Sequence, residues 1–197
     1  MRDLLKGPTN GREPRAWLGL RGVRIGAVVA VVVVVACVLW LVFGGGGSDS
    51  GSGSPVPEGA KAVRISVKGL RTLAALGIPI YWAGERPGIT YELTKTGDNR
   101  VFVRYLPAGV PIGSGKRYLT IGTYPVSHAF LITSRLAARS GSDPVEIGKD
   151  GVAFSKSPES VLMAHRGSGA QVEVYDPTPG RARELVSAHQ VTAVRPR

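Results

Sequence analysis

Residues Ile25 to Phe43 read IGAVVAVVVVVACVLWLVF, nineteen residues without a charge. A helix rises about 1.5 Å per residue, so this stretch would span roughly 28 Å, close to the ~30 Å hydrocarbon thickness of a bilayer. In lipid the backbone has no hydrogen-bond partner but itself, so even valine, a poor helix former in water, is driven into helix. A buried core helix or strand would instead need apolar cover on every side, which the rest of a 197-residue chain cannot easily supply. The sequence therefore predicts a transmembrane helix over residues 23–43.

The flanks set its direction. Arg2, Lys6, Arg12, Arg15, Arg21 and Arg24 precede it against Asp3 and Glu13, whereas residues 44–60 carry only Asp49 and Glu58. Basic flanks stay inside. The expectation is a single-pass, type II protein of the cell membrane, with a cytoplasmic N-terminus and its C-terminal domain outside. Trp17 and Trp40 fall near the two ends of the span, where amphipathic rings sit at headgroup level. Val34-Val35-Ala36-Cys37 also resembles a bacterial lipobox. Six more apolar residues follow Cys37, which would hold its thiol within the membrane, so an uncleaved anchor is the expectation and lipidation the alternative.

Residues 1–22 lack apolar periodicity and contain Gly7, Pro8, Asn10, Gly11 and Pro14. They read as a disordered basic cytoplasmic tail. Residues 44–60, GGGGSDSGSGSPVPEGA, read as a flexible linker with a reach of roughly 20–25 Å. Residues 61–197 are long enough for one domain, carry no cysteine and hold a formal charge of +9.

Within that domain, alternation predicts strands at 62–67, 79–83, 89–96, 101–106 and 117–124. Further strands are expected near 145–147, 152–155, 161–166, 171–175 and 191–194. Tyr91, Leu93, Val101, Val103 and Tyr105 are the inward side of a hairpin turned by Gly97-Asp98-Asn99. Leu70, Leu73, Ala74 and Gly77 share a helix side, with Gly77 at the C′ position. A second helix is expected from a Ser127 cap to Arg139, with His128 in its first turn. A third runs from a Thr178 cap and Pro179 to about His189. The fold class is α+β: one transmembrane helix, a linker, then an extracytoplasmic domain with an antiparallel-rich sheet and about three helices. Residues 89–139 and 152–189 both read β-β-β-α, which leaves an internal duplication open.

The run LGIPIYWAGERPGITYELTKTGDNRVFVRYLPAGV, with YLTIGTYP and QVEVYDPTPGRARELV later, resembles uncharacterised membrane-anchored proteins of actinobacterial type. That resemblance implies a source and a location; it implies no chemistry.

No motif in the chain assigns a catalytic residue, cofactor or metal ligand. Gly113-Ser114-Gly115-Lys116 suggests a phosphate loop, but the full pattern needs glycine at Val110 and Ser or Thr at Arg117, and a helix should follow. His128 reads as part of a solvated basic face with Arg135 and Arg139, His165 as a structural strand residue, and His189 as a helix-end donor. Glu92, Glu173 and Asp176 are read as strand- or turn-borne carboxylates.

Tyr81, Trp82 and Arg86 form the candidate contact loop, because aromatic residues bring area with a polar tip. Arg135, Arg139, Arg181 and Arg183 add basic helix faces. The expectation is a non-catalytic binding or interaction domain of the cell envelope. Its partners beyond the bilayer would be anionic lipid, an acidic envelope polymer or an unidentified protein, with no nucleic acid. A cell-envelope enzyme with a dispersed active site is the alternative.

Overall fold

The computed structural model describes residues 55–57, 61–141 and 143–196. The expected cytoplasmic tail, transmembrane span and Cys37 lie outside the described residues, as does all of the linker but Pro55 to Pro57. Among the described residues, no helix is long and apolar enough to cross a membrane.

Eight strands form one antiparallel sheet: β1 (Ala62–Ile65), β3 (Ile89–Lys95), β4 (Val101–Pro107), β5 (Thr120–Pro125), β6 (Pro144–Val145), β7 (Gly151–Ser157), β8 (Ser160–His165) and β9 (Ala170–Tyr175). Their spatial order is β1-β3-β4-β5-β9-β8-β7-β6. Two short strands, β2 (Tyr81–Trp82) and β10 (Thr192–Ala193), make a separate ribbon. Three helices complete the described residues: α1 (Val67–Ala75), α2 (Ala129–Ser140) and α3 (Arg181–Ser187). The α+β class, the antiparallel sheet and the three helices agree with the sequence.

Local chemistry explains the ends. The Ser66 hydroxyl accepts the Gly69 amide and caps α1, so the strand expected to reach Val67 stops at Ile65. Gly77 closes α1 in the left-handed region at φ +81°, with its N–H on the Ala74 carbonyl and the Ile78 N–H on the Leu73 carbonyl. The expected caps of the other two helices are corrected. His128 occupies the N-cap of α2 without a side-chain cap bond, and Gly180, not Thr178, precedes α3. Thr178 instead gives its amide to Asp176 Oδ1, a local turn that holds the chain outside the helix.

Two meanders, β3-β4-β5 and β7-β8-β9, meet where β5 pairs with β9. Leu93 opposite Val103 in the first corresponds to Ala153 opposite Met163 in the second. The helices break this correspondence. α2 lies across β7, β8 and β9 with Ala129 and Ile132 in a cluster around Phe102, whereas Ala182, Leu185 and Val186 of α3 join the main core on the other face.

The first face carries that main core: Tyr91, Val103, Ile121, Val172, Val161 and Met163, with Leu70 of α1 and Leu185 of α3 packed on it. The expected inward set of the hairpin lies here. The second face is covered as well, by α2 over one half and the 108–118 loop over the other. Val56 packs against the Phe102 cluster on this side, so the segment read as free linker makes contact with the domain at that residue.

Candidate functional site

The chain crosses the first face as a ribbon because its polar groups find partners there. Thr192 pairs with Trp82 and Ala193 with Tyr81, and the Val194 N–H donates to the Ile80 carbonyl at 2.8 Å. Ile80, Val191 and Val194 point into the core, leaving Thr192 and Ala193 exposed. The free side of β2 is tied to the sheet by the Tyr81 N–H, which donates to Thr123 Oγ1 at 3.0 Å.

The following loop is held by two tyrosines. Tyr105 Oη accepts the Ala83 N–H at 2.7 Å and donates to the Gly84 carbonyl at 3.1 Å. Tyr91 Oη accepts the Arg86 N–H at 2.7 Å. The two rings meet edge to face at 5.2 Å, and the Arg86 guanidinium lies 5.4 Å from the Tyr105 ring centre. Burial holds the Tyr105 phenol well above its ordinary pKa, the Ala83 amide opposing.

Two open pockets flank the ribbon and share Thr192 and Ala193. One, of about 300 Å³, is lined by Trp82, Arg71 of α1, Arg195 and Pro196. The other, of about 200 Å³, is lined by Tyr81, Ile147, Met163, His165, Val186, His189 and Val191. Gly151 lets two of these wall residues pack close to its backbone: a Cβ there would stand 2.5 Å from Ile147 Cδ1 and 3.1 Å from His165 Cε1. Burial lowers the His165 pKa, the His189 imidazole lowers it further, and Asp150 opposes both. Burial raises the Tyr81 phenol, the Ser168 hydroxyl opposing.

His189 holds a position that usually belongs to glycine. It follows the C-cap of α3 at φ 56°, its N–H on the Val186 carbonyl and the Gln190 N–H on the Leu185 carbonyl. This is the same closing pattern that Gly77 supplies for α1, made here by a side chain that turns toward the pocket. Left-handed backbone costs a non-glycine residue on the order of 1 kcal/mol.

The second face holds two polar centres. Glu92, completely buried, accepts Arg104 Nη1 at 2.6 Å and the Gly113 N–H at 2.6 Å. Arg104 Nη2 donates to the carbonyls of Ser114 and Lys116 at 2.7 and 2.8 Å. The glycine-rich loop is thereby turned onto an acid and a base of its own domain. Glu173 accepts Tyr124 Oη at 2.8 Å, Ser160 Oγ at 2.8 Å and Lys156 Nζ at 3.1 Å. Burial and the Glu173 charge push the Tyr124 phenol well above its ordinary pKa. Three donors on one carboxylate make a closed network; Tyr124 and Ser160 spend their protons on Glu173.

The seven residues singled out from the sequence do not share one surface. Tyr81 is buried in the wall of the smaller pocket, Trp82 is half-buried in the larger, and Arg86 is tied down beside Tyr105. Arg135 and Arg139 are exposed on α2, and Arg181 and Arg183 on α3, against opposite faces of the sheet. Arg181 pairs with Glu184 at 2.7 Å, and Arg183 donates to Ser155 Oγ and the Pro144 carbonyl. Arg71 and Arg195, which flank Trp82, escaped the sequence reading because only the folded ribbon brings them together. His189, read from the sequence as a helix-end donor in the last turn, stands one position past the Ala188 C-cap instead, where a C′ residue is expected.

Among the described residues, no group of three or more His, Cys, Asp or Glu side chains is placed to hold a metal. No imidazole among them is hydrogen-bonded to a carboxylate. No protein-family model matches the chain, and no curated protein or solved structure shows significant similarity to it.

Proposed function

We propose that this chain is a membrane-tethered binding module whose domain lies outside the cytoplasm and takes up an anionic component of the cell envelope along the β2–β10 ribbon. The observation that carries this reading is Trp82, half-buried in an open groove with Arg71 and Arg195. Guanidinium groups offer paired donors to phosphate or carboxylate, and the indole gives a flat apolar surface for the uncharged part of the ligand. The uncharged stretch Ile25–Phe43 and the basic residues before it support the anchored orientation. The formal +9 of residues 61–197 favours approach of an anion.

Liposome co-sedimentation of residues 52–197 tests the reading. Vesicles with anionic lipid should retain the protein, neutral vesicles should not, and retention should fall as the Debye length shrinks from about 10 Å at 0.1 M salt to 3 Å at 1 M. Soluble polyphosphate should compete. Arg71→Gln with Arg195→Gln should weaken binding about tenfold. Equal retention by both vesicles, or unchanged binding by the double variant, would overturn it.

A further inference from the structure

The smaller pocket and the groove lie on either side of Thr192 and Ala193, which line both. A ligand long enough to span the ribbon would therefore enter both. What differs is the donor chemistry. The groove offers two permanent cations, Arg71 and Arg195, whereas the pocket offers two imidazoles. His165 comes from the end of β8 and His189 from the turn after α3, with Thr192 of β10 between the two cavities. Donors from three separate elements suit a tetrahedral oxyanion, which presents acceptors in several directions, better than a planar carboxylate.

Resting on the reading above, we propose that this pocket is a second anion subsite, taking the next phosphate of a phosphodiester ligand bound at Arg71 and Arg195, and that it strengthens as its histidines gain protons. A phosphodiester keeps its single charge from pH 5 to 8, so any change in affinity over that range belongs to the protein. Four titratable groups surround the subsite: His165 on β8, His189 after α3, Tyr81 on β2 and Asp150 in the turn before β7. Arg166, next in the chain to His165, is turned away, 4.0 Å from the centre of the Phe130 ring. Burial and His189 disfavour the charged form of His165 while Asp150 favours it, so an anion held in the pocket would favour the charged form further. The left-handed backbone of His189 fits this role: glycine would be the easier residue there, but it would bring no imidazole to the pocket.

The test uses the full-length chain in a neutral detergent, titrated at pH 5.5 and pH 8.0 with oligomeric glycerol phosphate, and in a second arm with phosphatidylglycerol vesicles. The two arms separate a polymer from a lipid headgroup as the source of the phosphodiester. The wild-type chain should bind about tenfold more tightly at pH 5.5, roughly the effect of two added exposed ion pairs. His189→Gly should abolish most of that difference while leaving the melting temperature unchanged or raised, which rules out unfolding as the cause. Arg71→Gln should weaken binding equally at both pH values. If the wild-type chain binds with the same strength at both pH values, or His189→Gly keeps the full difference, the subsite is refuted while the groove stands. If neither arm binds at either pH, the proposed function falls with it.

Discussion

Replacing Arg104 by Met asks whether the buried ion pair, and not apolar cover alone, keeps the second face of the sheet closed. Glu92 is completely buried and has two donors, the Arg104 guanidinium and the Gly113 amide, each at 2.6 Å. Methionine keeps much of the apolar stem but leaves the carboxylate with one donor. Breaking a buried pair from one side costs about 3–5 kcal/mol. The Ser114 and Lys116 carbonyls also lose their donor, at about 1–3 kcal/mol each where they stay dry. The 108–118 loop can lift and let water reach all three groups, which holds the total near the lower bound, about 3–4 kcal/mol. A domain of this size has only about 5–15 kcal/mol to lose. Glu92→Gln also breaks the pair from one side, but Arg104 keeps the Ser114 and Lys116 carbonyls and one amide oxygen remains for a donor, so the cost should lie at the lower bound, about 2–3 kcal/mol. The double variant buries no charge and should cost clearly less than the sum of the singles. Urea unfolding of residues 52–197 followed by circular dichroism gives the three values. Trypsin gives an independent reading, because the exposed Lys116 and Arg117 sit in the loop that should lift. A cost under about 1 kcal/mol for Arg104→Met, or additive effects of the two substitutions, would show that apolar cover alone closes this face.

Tyr124→Phe removes a hydrogen bond to Glu173 and should cost about 1–2 kcal/mol at pH 7. The folded state holds the Tyr124 proton above the unfolded pKa of about 10, so this contribution is complete below pH 10 and is lost as pH rises, by up to about 1.4 kcal/mol per unit. Urea unfolding between pH 9 and 11.5 should therefore show a flatter decline for Tyr124→Phe than for wild type; equal slopes would contradict the assignment. Gly122→Val should destabilise by about 1–3 kcal/mol despite valine's preference for strands. The reason is steric: a Cβ there meets Tyr124 Oη at 3.0 Å and Phe102 Cδ1 at 3.3 Å, and a neutral or higher melting temperature would refute it. A reporter fused after Arg197 should be active outside the cytoplasm, and Cys37→Ser should leave apparent mass and membrane retention unchanged. Protection of the C-terminus from external protease, or lipid labelling of Cys37, would reverse those two expectations.

Features set by near neighbours were legible in the sequence. The hairpin turn at Gly97-Asp98-Asn99 is one, with Asn99 at φ 64° and the Thr96 N–H closed onto the Arg100 carbonyl. Gly77 at the end of α1 is another. The inward set Tyr91, Leu93, Val101, Val103 and Tyr105 followed from period-two alternation. The second face was not read, because Glu92 and Arg104 fall at positions that alternation assigns to water. The clue was present in β8, where Leu162 and Ala164 turn the alternation into a continuous apolar run, and in β4, where Phe102 and Leu106 are apolar on the side that alternation assigns to water. Pairing Glu92 with Arg104 needs the hairpin register, and joining Arg71, Trp82 and Arg195 needs contacts between distant parts of the chain. No local pattern carries either.

The contact of Val56 with the Phe102 cluster would have a mechanical meaning if the domain is tethered as proposed. A pull on the chain from its N-terminal side reaches Val56 before it reaches β1. Part-burying one valine contributes about 1 kcal/mol, far less than a strand ladder and its core, so this contact yields first. After its release the load falls on the Ala62–Ile65 ladder with β3. The domain therefore carries a weak first stage in series with a strong second one. Were the domain tethered as proposed, small tugs would be absorbed by one apolar contact that can re-form, and the ladder of β1 with β3 would be spared.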